Sequence, residues 1–392
     1  MEKWKEEFQH LASKIENAFD KKSLALKQKL HLLDDITIQP YIGYGNRDYI
    51  HINGRVLEHE GLRLPEADDT LLDNIKTLYY RYESDEIPDA PLAYKLGSVQ
   101  GNLTSDDEGY FSAKLDNPDR LEGWQEVEYT MLKQYKETQP PVRVKGEVLL
   151  QSSNSTLGLI SDLDDTVIVS KATDFFEKSR IMLLNSERTR KPFEGVATFY
   201  RALQKGAAGH NSNPVFYVSS SSWNLYDMFK NFCEINQLPK GVFLLRDVGL
   251  DRKKLYRTGH SIHKQQKIAQ VLETFRELSF LLIGDSGQHD PEIYLEIVKQ
   301  YPGRIMGIYI RDVHPQENKP RDLEVKAITE QVARLGVPML LVKNSAQAAQ
   351  HAAEQGWIAE GALSEIIAEA SEEEQSKHDV RHMLGLHKLF GQ

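Results

Sequence analysis

The fold is decided by residues 157–166, LGLISDLDDT, in which a short apolar run ends at a group of aspartates. The run, Leu157–Ile160, shows no alternation of apolar and polar residues, which is typical of a strand buried on both faces. Runs of the same kind recur at Val215–Val218, Val242–Leu245, Phe280–Ile283, Ile305–Ile310 and Met339–Val342. The sequence therefore contains the strands of one buried sheet.

Segments with a helical spacing of apolar residues separate these runs. They cover residues 192–204, 223–236, 262–277, 291–301 and 345–355. Strands that alternate with helices predict an α/β fold, a Rossmann-like, doubly wound parallel sheet. We place this domain at residues 154–358 and expect a helical or mobile C-terminal tail over residues 359–392.

The residues before 154 follow a different pattern. Apolar residues repeat with a period of two, as in Tyr49–Ile52, and turn-forming residues such as Ser105–Gly109 lie between the runs. Residues 71–82 instead have helical spacing. Short strands with one helix predict a smaller, β-sandwich-like domain over residues 35–153. A helix is predicted within residues 1–34; we expect it to pack on the protein's own core, and a membrane-surface helix is the alternative.

Composition and charge narrow the functional class. The 392-residue chain has a formal net charge of −10, which argues against broad nucleic-acid binding. No stretch approaches the roughly 20 apolar residues of a membrane span, and the first residues lack the apolar core of a signal peptide. The single cysteine, Cys233, cannot form an intramolecular disulfide. We therefore expect a cytoplasmic protein with at most peripheral membrane contact.

The first strand leads into a pair of acids. In an open α/β sheet, ligands bind beyond the carboxyl ends of the strands. Asp162 and Asp164 follow the first run two residues apart, so they can face one cavity. A divalent cation would relieve the repulsion between them. The alternative is that Asp165 or Thr166 caps the helix that follows.

Three further polar groups follow the strands in chain order. Ser219–Ser222 precedes Trp223 at a predicted helix start, where hydroxyls and backbone N–H groups can cradle a phosphate. Lys264 lies near the start of another helix, and Asp285 and Asp290 flank a glycine-containing loop suited to Mg²⁺. Helix capping or a solvated surface lysine explains each pattern alone. Their joint occurrence at strand and helix ends favours one functional site.

These elements, in this order, resemble the haloacid dehalogenase superfamily of phosphatases. The fingerprint of that superfamily is a DxDxT nucleophile loop, a serine or threonine after the next catalytic strand, a lysine, and a GDxxxxD-type acidic loop. The matching residues here are Asp162, Asp164, Thr166, Ser219, Lys264, Asp285 and Asp290.

A narrower resemblance, over about residues 154–314, is to the catalytic domain of the actin-patch-associated phosphatidate phosphatases, distant relatives of the lipins. It rests on ISDLDDTV, FYVSSSSWNLYDMF, HKQQKI, LLIGDSGQHDPEIY and IYIRDV. The upstream PYIGYGNRDYIHINGRVL and the DDEGYF turn resemble the amino-terminal region of the bacterial members. The chain departs from the family at Ser220–Trp223, where Asn-Ser-Pro-Trp is expected.

The resemblance implies a magnesium-dependent mechanism. Asp162 would be the nucleophile that forms an aspartyl-phosphate, and Asp164 would protonate the leaving oxygen and then activate water. The magnesium ligands would come from Asp162, from the Asp164 backbone carbonyl and from Asp285, with Asp290 acting indirectly, through water.

The remaining matched residues would bind the phosphate. The resemblance assigns Thr166 and Ser219 hydrogen bonds to phosphate oxygens, and it assigns Lys264 the stabilisation of developing charge. Ser220 and Ser221 are further candidates for substrate binding because they continue the serine cluster.

The substrate class rests on the resemblance alone. Phosphatidate, an anionic phospholipid at a membrane surface, is the first choice, and Arg180 in a basic insertion is a candidate contact for such a surface. Solvated loop charge is the alternative for Arg180. A phosphatase of soluble phosphomonoesters or phosphoproteins is the first alternative function, and a non-catalytic module that binds a lipid or a partner is the second.

Overall fold

A computed structural model of the chain describes residues 34–59, 86–163, 195–246, 260–313 and 320–383. The chain divides into two compact units, Met1–Leu150 and Gln151–Gln392. Among the described residues, the first unit consists of strands, and the second combines strands with helices.

The first unit is a single seven-stranded sheet. Its strands are β1 (Asp35–Gly45), β2 (Tyr49–His59), β3 (Pro91–Leu96), β4 (Val99–Thr104), β5 (Tyr110–Asp116), β6 (Gly123–Met131) and β7 (Arg143–Leu150). They lie in the order β4-β3-β6-β7-β1-β2-β5, and β1 and β7 pair parallel while the other neighbours pair antiparallel. The edge strands β4 and β5 contact each other, so the sheet is nearly closed.

The predicted β-rich unit is therefore present, but as one curled sheet instead of two stacked layers. Alternating apolar residues mark one buried face of a strand, and a sandwich and a curled sheet share that pattern. Ile36, Ile38, Ile50, Ile52 and Val127 line the core, and each is at most 2% exposed. The sequence pattern consequently predicts which residues are buried, but not whether the strands form two stacked sheets or one curled sheet.

The turn predicted at residues 105–109 is confirmed. Asp106 Oδ1 accepts the backbone N–H groups of Glu108 and Tyr110 at 3.0 and 2.9 Å, and Gly109 adopts a left-handed φ of 77°. Strand β3 was not predicted, because it is short and begins at a proline. Residues 1–33 and 60–85, which hold the predicted N-terminal helix and the helix predicted at 71–82, lie outside the described residues.

The second unit is an α/β domain with a parallel sheet of six strands. The strands are β8 (Gly158–Asp162), β9 (Val215–Ser222), β10 (Val242–Arg246), β11 (Phe280–Asp285), β12 (Ile305–Arg311) and β13 (Met339–Val342). The described helices are α1 (Val196–Lys205), α2 (Tyr226–Ile235), α3 (His260–Thr274), α4 (Asp290–Gln300), α5 (Pro320–Arg334), α6 (Ser345–Glu354) and α7 (Glu360–Met383). Every apolar run predicted to be a strand forms one of these strands.

The strand order, β10-β9-β8-β11-β12-β13, reverses at β8. Strands β9 and β10 extend to one side of β8, and β11 to β13 extend to the other. With right-handed connections, the two directions place their helices on opposite faces of the sheet. The carboxyl ends of β8 and β11 are thus neighbours at the topological switch point, where ligands bind in open α/β sheets.

Aromatic side chains pack against both faces of this sheet. Phe216, Phe275 and Phe280 contact one another with ring centroids 5.2 to 6.4 Å apart. On the opposite face, Tyr309 meets Phe199 edge-on at 5.8 Å and Trp357 at 6.4 Å. These contacts fix the strands whose ends carry the candidate site.

Two helices lie where the periodicity did not predict a complete helix. In α5 only a narrow stripe that includes Val325, Ile328 and Val332 is buried, while Leu323 is 72% exposed. Helix α7 lies in the predicted tail and continues through the acidic residues after Ser371. None of the described helices is long and apolar enough to cross a membrane.

The contact between β8 and β11 leads to a stability prediction. A Cβ added at Gly158 would lie 2.1 Å from the ring of Phe280, which is fully buried. We predict that Gly158→Ala lowers the free energy of unfolding by about 1–3 kcal/mol, because a packed core resists added volume. Urea denaturation measures this difference.

Gly361→Ala is the matched control for that experiment. An added Cβ at Gly361 meets no atom within 4 Å, and the residue lies near the start of α7. Alanine should leave the free energy of unfolding unchanged or raise it by up to about 1 kcal/mol. Equal stability of the two variants would contradict the close packing of β8 on β11.

Candidate active site

Five predicted site residues converge at the carboxyl edge of the parallel sheet. Asp162 ends β8, Asp285 ends β11, and Asp290 begins α4. Ser219 lies in β9, one residue beyond the register partner of Asp162, and Lys264 lies near the start of α3. Each of the five is at most 3% exposed. We call the three acids together with Lys264 the charged cluster.

Lys264 joins two of the acids in this cluster. Its Nζ lies 2.8 Å from Oδ1 of Asp162, and it forms a second ion pair with Oδ1 of Asp290. Burial by itself lowers the pKa of Lys264, but the charges of Asp162 and Asp290 and their hydrogen bonds outweigh that effect, so the pKa lies above its usual range. Lys264 is therefore a buried cation and not a solvated surface residue.

A glycine leaves room for Asp290 beside β8. Gly284 follows Ile283, which pairs in register with the residue before Asp162. A Cβ added at Gly284 would lie 2.4 Å from Oδ2 of Asp290. That oxygen accepts the backbone N–H of Asp285 at 3.1 Å, while Oδ1 pairs with Lys264. Asp290 thus links Lys264 to the end of β11, because one carboxylate oxygen pairs with the lysine and the other accepts the Asp285 N–H.

The acidic loop, which we define as Asp285 to Asp290, wraps around the Asp285 carboxylate. Oδ1 of Asp285 accepts the backbone N–H groups of Gly287 at 2.7 Å and Gln288 at 3.0 Å. A Cβ at Gly287 would lie 3.1 Å from that same oxygen. Hydrogen bonds from the backbone amides hold the carboxylate in a fixed position at the strand end.

Arg321, at the start of α5, holds the acidic loop from outside. Its Nε donates to the carbonyl oxygen of Ser286 at 3.1 Å, and Nη2 donates to that of Gln288. The guanidinium also forms a two-point ion pair with Glu292 of α4. No sequence signal pointed to Arg321, because these contacts link residues about 30 positions apart.

Asp162, Asp285 and Asp290 fit a divalent cation. One oxygen from each lies within 4.8 Å of the others, and all three residues are buried. With Lys264 included, three carboxylates and one ammonium group leave the charged cluster with a net charge of −2. Buried charge without compensation is strongly destabilising, and a bound divalent cation would balance it. Oxygen donors are those that hard cations prefer.

The serine run, Ser219–Ser222, lies within β9, which extends beyond the predicted strand. Ser219 Oγ accepts the backbone N–H of Ser221 at 2.9 Å. Ser222 Oγ accepts the N–H of Asn224 at 3.2 Å and caps the short 3₁₀ turn that follows. Capping therefore accounts for Ser222, while Ser220 and Ser221 remain partly exposed at the edge of the sheet.

Ser161 and Tyr200 support the backbone of the candidate nucleophile. Ser161 Oγ donates to the carbonyl oxygen of Asp162 at 2.8 Å and lies 2.8 Å from the Tyr200 hydroxyl. Because Ser161 has one hydroxyl hydrogen, Tyr200 is the donor in the second bond. Burial raises the pKa of Tyr200 above its usual range, so the phenol stays protonated and can donate.

Three predicted site residues lie outside the described residues: Asp164, Thr166 and Arg180. The roles assigned to them, as acid and base, phosphate ligand and membrane contact, stay predictions. Helix capping by Asp165 or Thr166 is untested for the same reason.

The contacts of Arg321 lead to a second prediction. Arg321→Ala removes the donors that hold the acidic loop, so we expect the affinity of the protein for Mg²⁺ to fall by about 10-fold, as is typical when the partner of a metal ligand is lost. Isothermal titration calorimetry measures this affinity. Arg334→Ala, at the exposed end of the same helix, is the control and should bind Mg²⁺ like wild type. Equal affinities for both variants would contradict the role of Arg321.

Comparison with known proteins relates the second unit to a family. Residues 157–312 match the family model described as the catalytic domain of phosphatidate phosphatase APP1. Phosphatidate phosphatase APP1 of Saccharomyces cerevisiae is 33% identical over 158 residues, which are 40% of this chain and 26% of the yeast protein. An uncharacterized Schizosaccharomyces pombe protein is 26% identical over 189 residues, which are 48% of this chain and 30% of that protein.

Likeness to solved structures is weak. A carbohydrate acetylesterase from Xanthomonas citri superposes with a TM-score of 0.32 at 10% identity, over 79% of this chain and 68% of that chain. A truncated TubZ from a Clostridium botulinum phage gives 0.26 at 15% identity, over 43% of this chain and 61% of that chain. Neither superposition supports an inference about fold or function.

The family match coincides with the charged cluster. Residues 157–312 span β8 to β12 and contain Asp162, Ser219, Lys264, Asp285 and Asp290. The chain covers less than a third of the length of the two curated relatives, 26% and 30%. The similarity therefore concerns one segment of those proteins. The resemblance inferred from the sequence is confirmed: residues 157–312 match the family model of the phosphatidate phosphatase APP1 catalytic domain.

Proposed function

We propose that this chain is a magnesium-dependent phosphomonoester hydrolase that acts through an aspartyl-phosphate on Asp162, with phosphatidate as its substrate. The observation that carries the proposal is the buried ion pair of Asp162 and Lys264, 2.8 Å apart, within a group of acids that fits a divalent cation. The match of residues 157–312 to a phosphatidate phosphatase family model supports the reaction class.

Covalent catalysis suits this reaction because uncatalysed hydrolysis of phosphate monoesters is extremely slow. A carboxylate oxygen of Asp162 attacks phosphorus in line, and the bond from phosphorus to the leaving oxygen breaks. The leaving oxygen takes a proton, in the proposal from Asp164, and departs as an alcohol. Water then attacks the aspartyl-phosphate and gives a proton to Asp164, which restores the Asp164 acid, releases inorganic phosphate and frees the Asp162 carboxylate.

Lys264 has a defined electrostatic role in this scheme. Its ammonium group lies against Asp162, where negative charge accumulates as the phosphate approaches. The fixed position of this cation means that little reorganisation is needed during the reaction. Asp290 accepts from Lys264 and from the Asp285 backbone, so we assign it the positioning of both groups.

Asp162 and Asp285 are the described residues that would hold Mg²⁺, together with the Asp164 backbone carbonyl that the resemblance implies. The cation would offset the repulsion between the carboxylates and the phosphate dianion. Ser219, and Thr166 by resemblance, would donate hydrogen bonds to phosphate oxygens. Both oxygens of Asp290 already accept protein donors, so direct coordination by Asp290 is not part of the proposal.

Phosphatidate is the proposed substrate because of the family and not because of a lipid pocket. The name of the yeast relative states phosphatidate phosphatase activity for that protein. None of the described helices could span a membrane. Phosphatidate is an anionic lipid, so an enzyme acting on it would meet it at a membrane surface. Hydrolysis would yield diacylglycerol and inorganic phosphate.

The nucleophile prediction is tested by Asp162→Asn. The amide cannot attack phosphorus, so phosphate release from phosphatidate vesicles should fall at least about a thousandfold. Phosphate release is measured with Mg²⁺ present, and circular dichroism checks that the variant is folded.

Asp116→Asn provides the matched control for that loss. Asp116 is exposed at the end of β5 in the first unit, so this variant should hydrolyse phosphatidate at the wild-type rate. Equal rates for wild type and Asp162→Asn on every phosphomonoester tried would leave the non-catalytic binding module as the better interpretation.

The cation and the substrate class are tested in one assay. Chelation with EDTA should reduce phosphate release to background, and added Mg²⁺ should restore it, because the proposed mechanism depends on a divalent cation at the carboxylates. Phosphatidate in vesicles should be hydrolysed faster than soluble phosphomonoesters or phosphopeptides. Faster turnover of a soluble substrate would favour the alternative phosphatase, and chelator-resistant turnover would contradict the proposed role of the cation.

A further inference from the structure

Arg246 is a partly buried cation at the same edge of the sheet as the charged cluster. It ends β10 and pairs in register with Ser222 of the serine run. Within the described ranges, no residue forms a hydrogen bond or an ion pair with its guanidinium group. By contrast, Arg304 and Arg321, which are also partly buried, each donate to two backbone carbonyls.

The strand register places Arg246 on the same face of the sheet as Asp162. Leu244 of β10 pairs with Val218 of β9, which pairs with Asp162 of β8, and paired residues of neighbouring parallel strands share a face. Side chains two residues apart on a strand point to the same face, so Arg246, two residues beyond Leu244, lies on the face that carries Asp162. Phe216 marks the same face and packs against Phe275, just beyond α3. This is the face from which Lys264 of α3 approaches Asp162.

The separation is within reach of an arginine side chain. Two strand spacings are about 10 Å, and two residues along a strand add about 6.6 Å, so the Cα atoms of Arg246 and Asp162 lie about 12 Å apart. An extended arginine places its guanidinium about 6 Å from its own Cα. A phosphate group lying over Asp162 would occupy the remaining distance.

A bound divalent cation would only balance the net charge of −2 of the charged cluster, so an incoming phosphate dianion adds negative charge that a further cation would offset. Lys264 is already shared between Asp162 and Asp290, so it cannot neutralise an incoming phosphate dianion alone. The planar fork of a guanidinium group matches phosphate oxygens in a two-point hydrogen bond. Within β9, the four residues from Ser219 to Ser222 correspond to two residues of β10, and this irregularity lies between Arg246 and Asp162.

We therefore propose that Arg246 binds the phosphate group of the substrate and so completes an anion site whose other side is Lys264. This inference rests on the proposed function and assigns a phosphate-binding role to a residue outside the charged cluster. It predicts that Arg246 contributes to every phosphomonoester substrate, whether lipid or soluble, because the group it contacts is common to all of them.

The test compares Arg246→Gln and Arg246→Lys with Arg276→Gln, an exposed arginine just after α3. In Arg246→Gln, kcat/KM should fall about 10- to 100-fold for phosphatidate and for a soluble phosphomonoester alike, as expected for a lost charge-assisted hydrogen bond. Competitive inhibition by inorganic phosphate should weaken by a similar factor. Arg246→Lys should recover part of the loss, and Arg276→Gln should match wild type.

Two results would overturn the proposal. The first is an Arg246→Gln enzyme with the wild-type inhibition constant for inorganic phosphate. The second is an equal loss in Arg276→Gln, which would point to the overall charge of the domain. Thermal melting of each variant separates lost binding from lost folding.

Failure of this inference can be told apart from failure of the proposed function. Calorimetric titration of the Mg²⁺-loaded protein with inorganic phosphate does not require turnover. If no phosphomonoester is hydrolysed but phosphate binds and Arg246→Gln weakens that binding, the anion site stands and the hydrolase proposal falls. If wild type hydrolyses substrate and Arg246→Gln matches it in rate and in phosphate binding, only the role of Arg246 falls.

Discussion

Three carboxylates and one ammonium group are buried together at the edge of a parallel sheet, and the local structure of the α/β unit depends on holding them there. Like charges so close repel strongly in an environment that excludes water. Two interactions offset this repulsion: the ion pairs of Lys264 and the hydrogen bonds that backbone N–H groups donate to Asp285. The carboxylate oxygens also suit a divalent cation. An acidic cluster of this kind could hold a divalent cation.

The sheet topology is what brings these groups together. Reversal of strand order at β8 makes the ends of β8 and β11 neighbours, although Asp162 and Asp285 are far apart in the chain. Gly284 leaves space for the Asp290 side chain next to these strand ends. Arg321 donates hydrogen bonds to the loop between Asp285 and Asp290 and holds it in place. Each of these features serves the same end, a fixed set of charges at the switch point.

Much of this arrangement could be predicted from the sequence, for a physical reason. Strands buried on both faces form unbroken apolar runs, and polar residues such as Asp162, Ser219 and Asp285 stand out where those runs end. Arg321 and Tyr200 could not be predicted, because their roles come from contacts between distant segments. The near-closure of the first unit's sheet could not be predicted either. Alternation of apolar and polar residues shows which face of a strand is buried, but not which strands that face packs against.

We propose that Asp162 becomes covalently bonded to phosphorus, and trapping that intermediate is the most direct test. Enzyme mixed with Mg²⁺ and phosphate-labelled substrate would be quenched in acid, and the labelled peptide would be identified by mass spectrometry. We expect an acyl phosphate on Asp162 that hydroxylamine cleaves and that the Asp162→Asn variant does not form. Label on another residue, or turnover with no covalent phosphate at any time point, would contradict it.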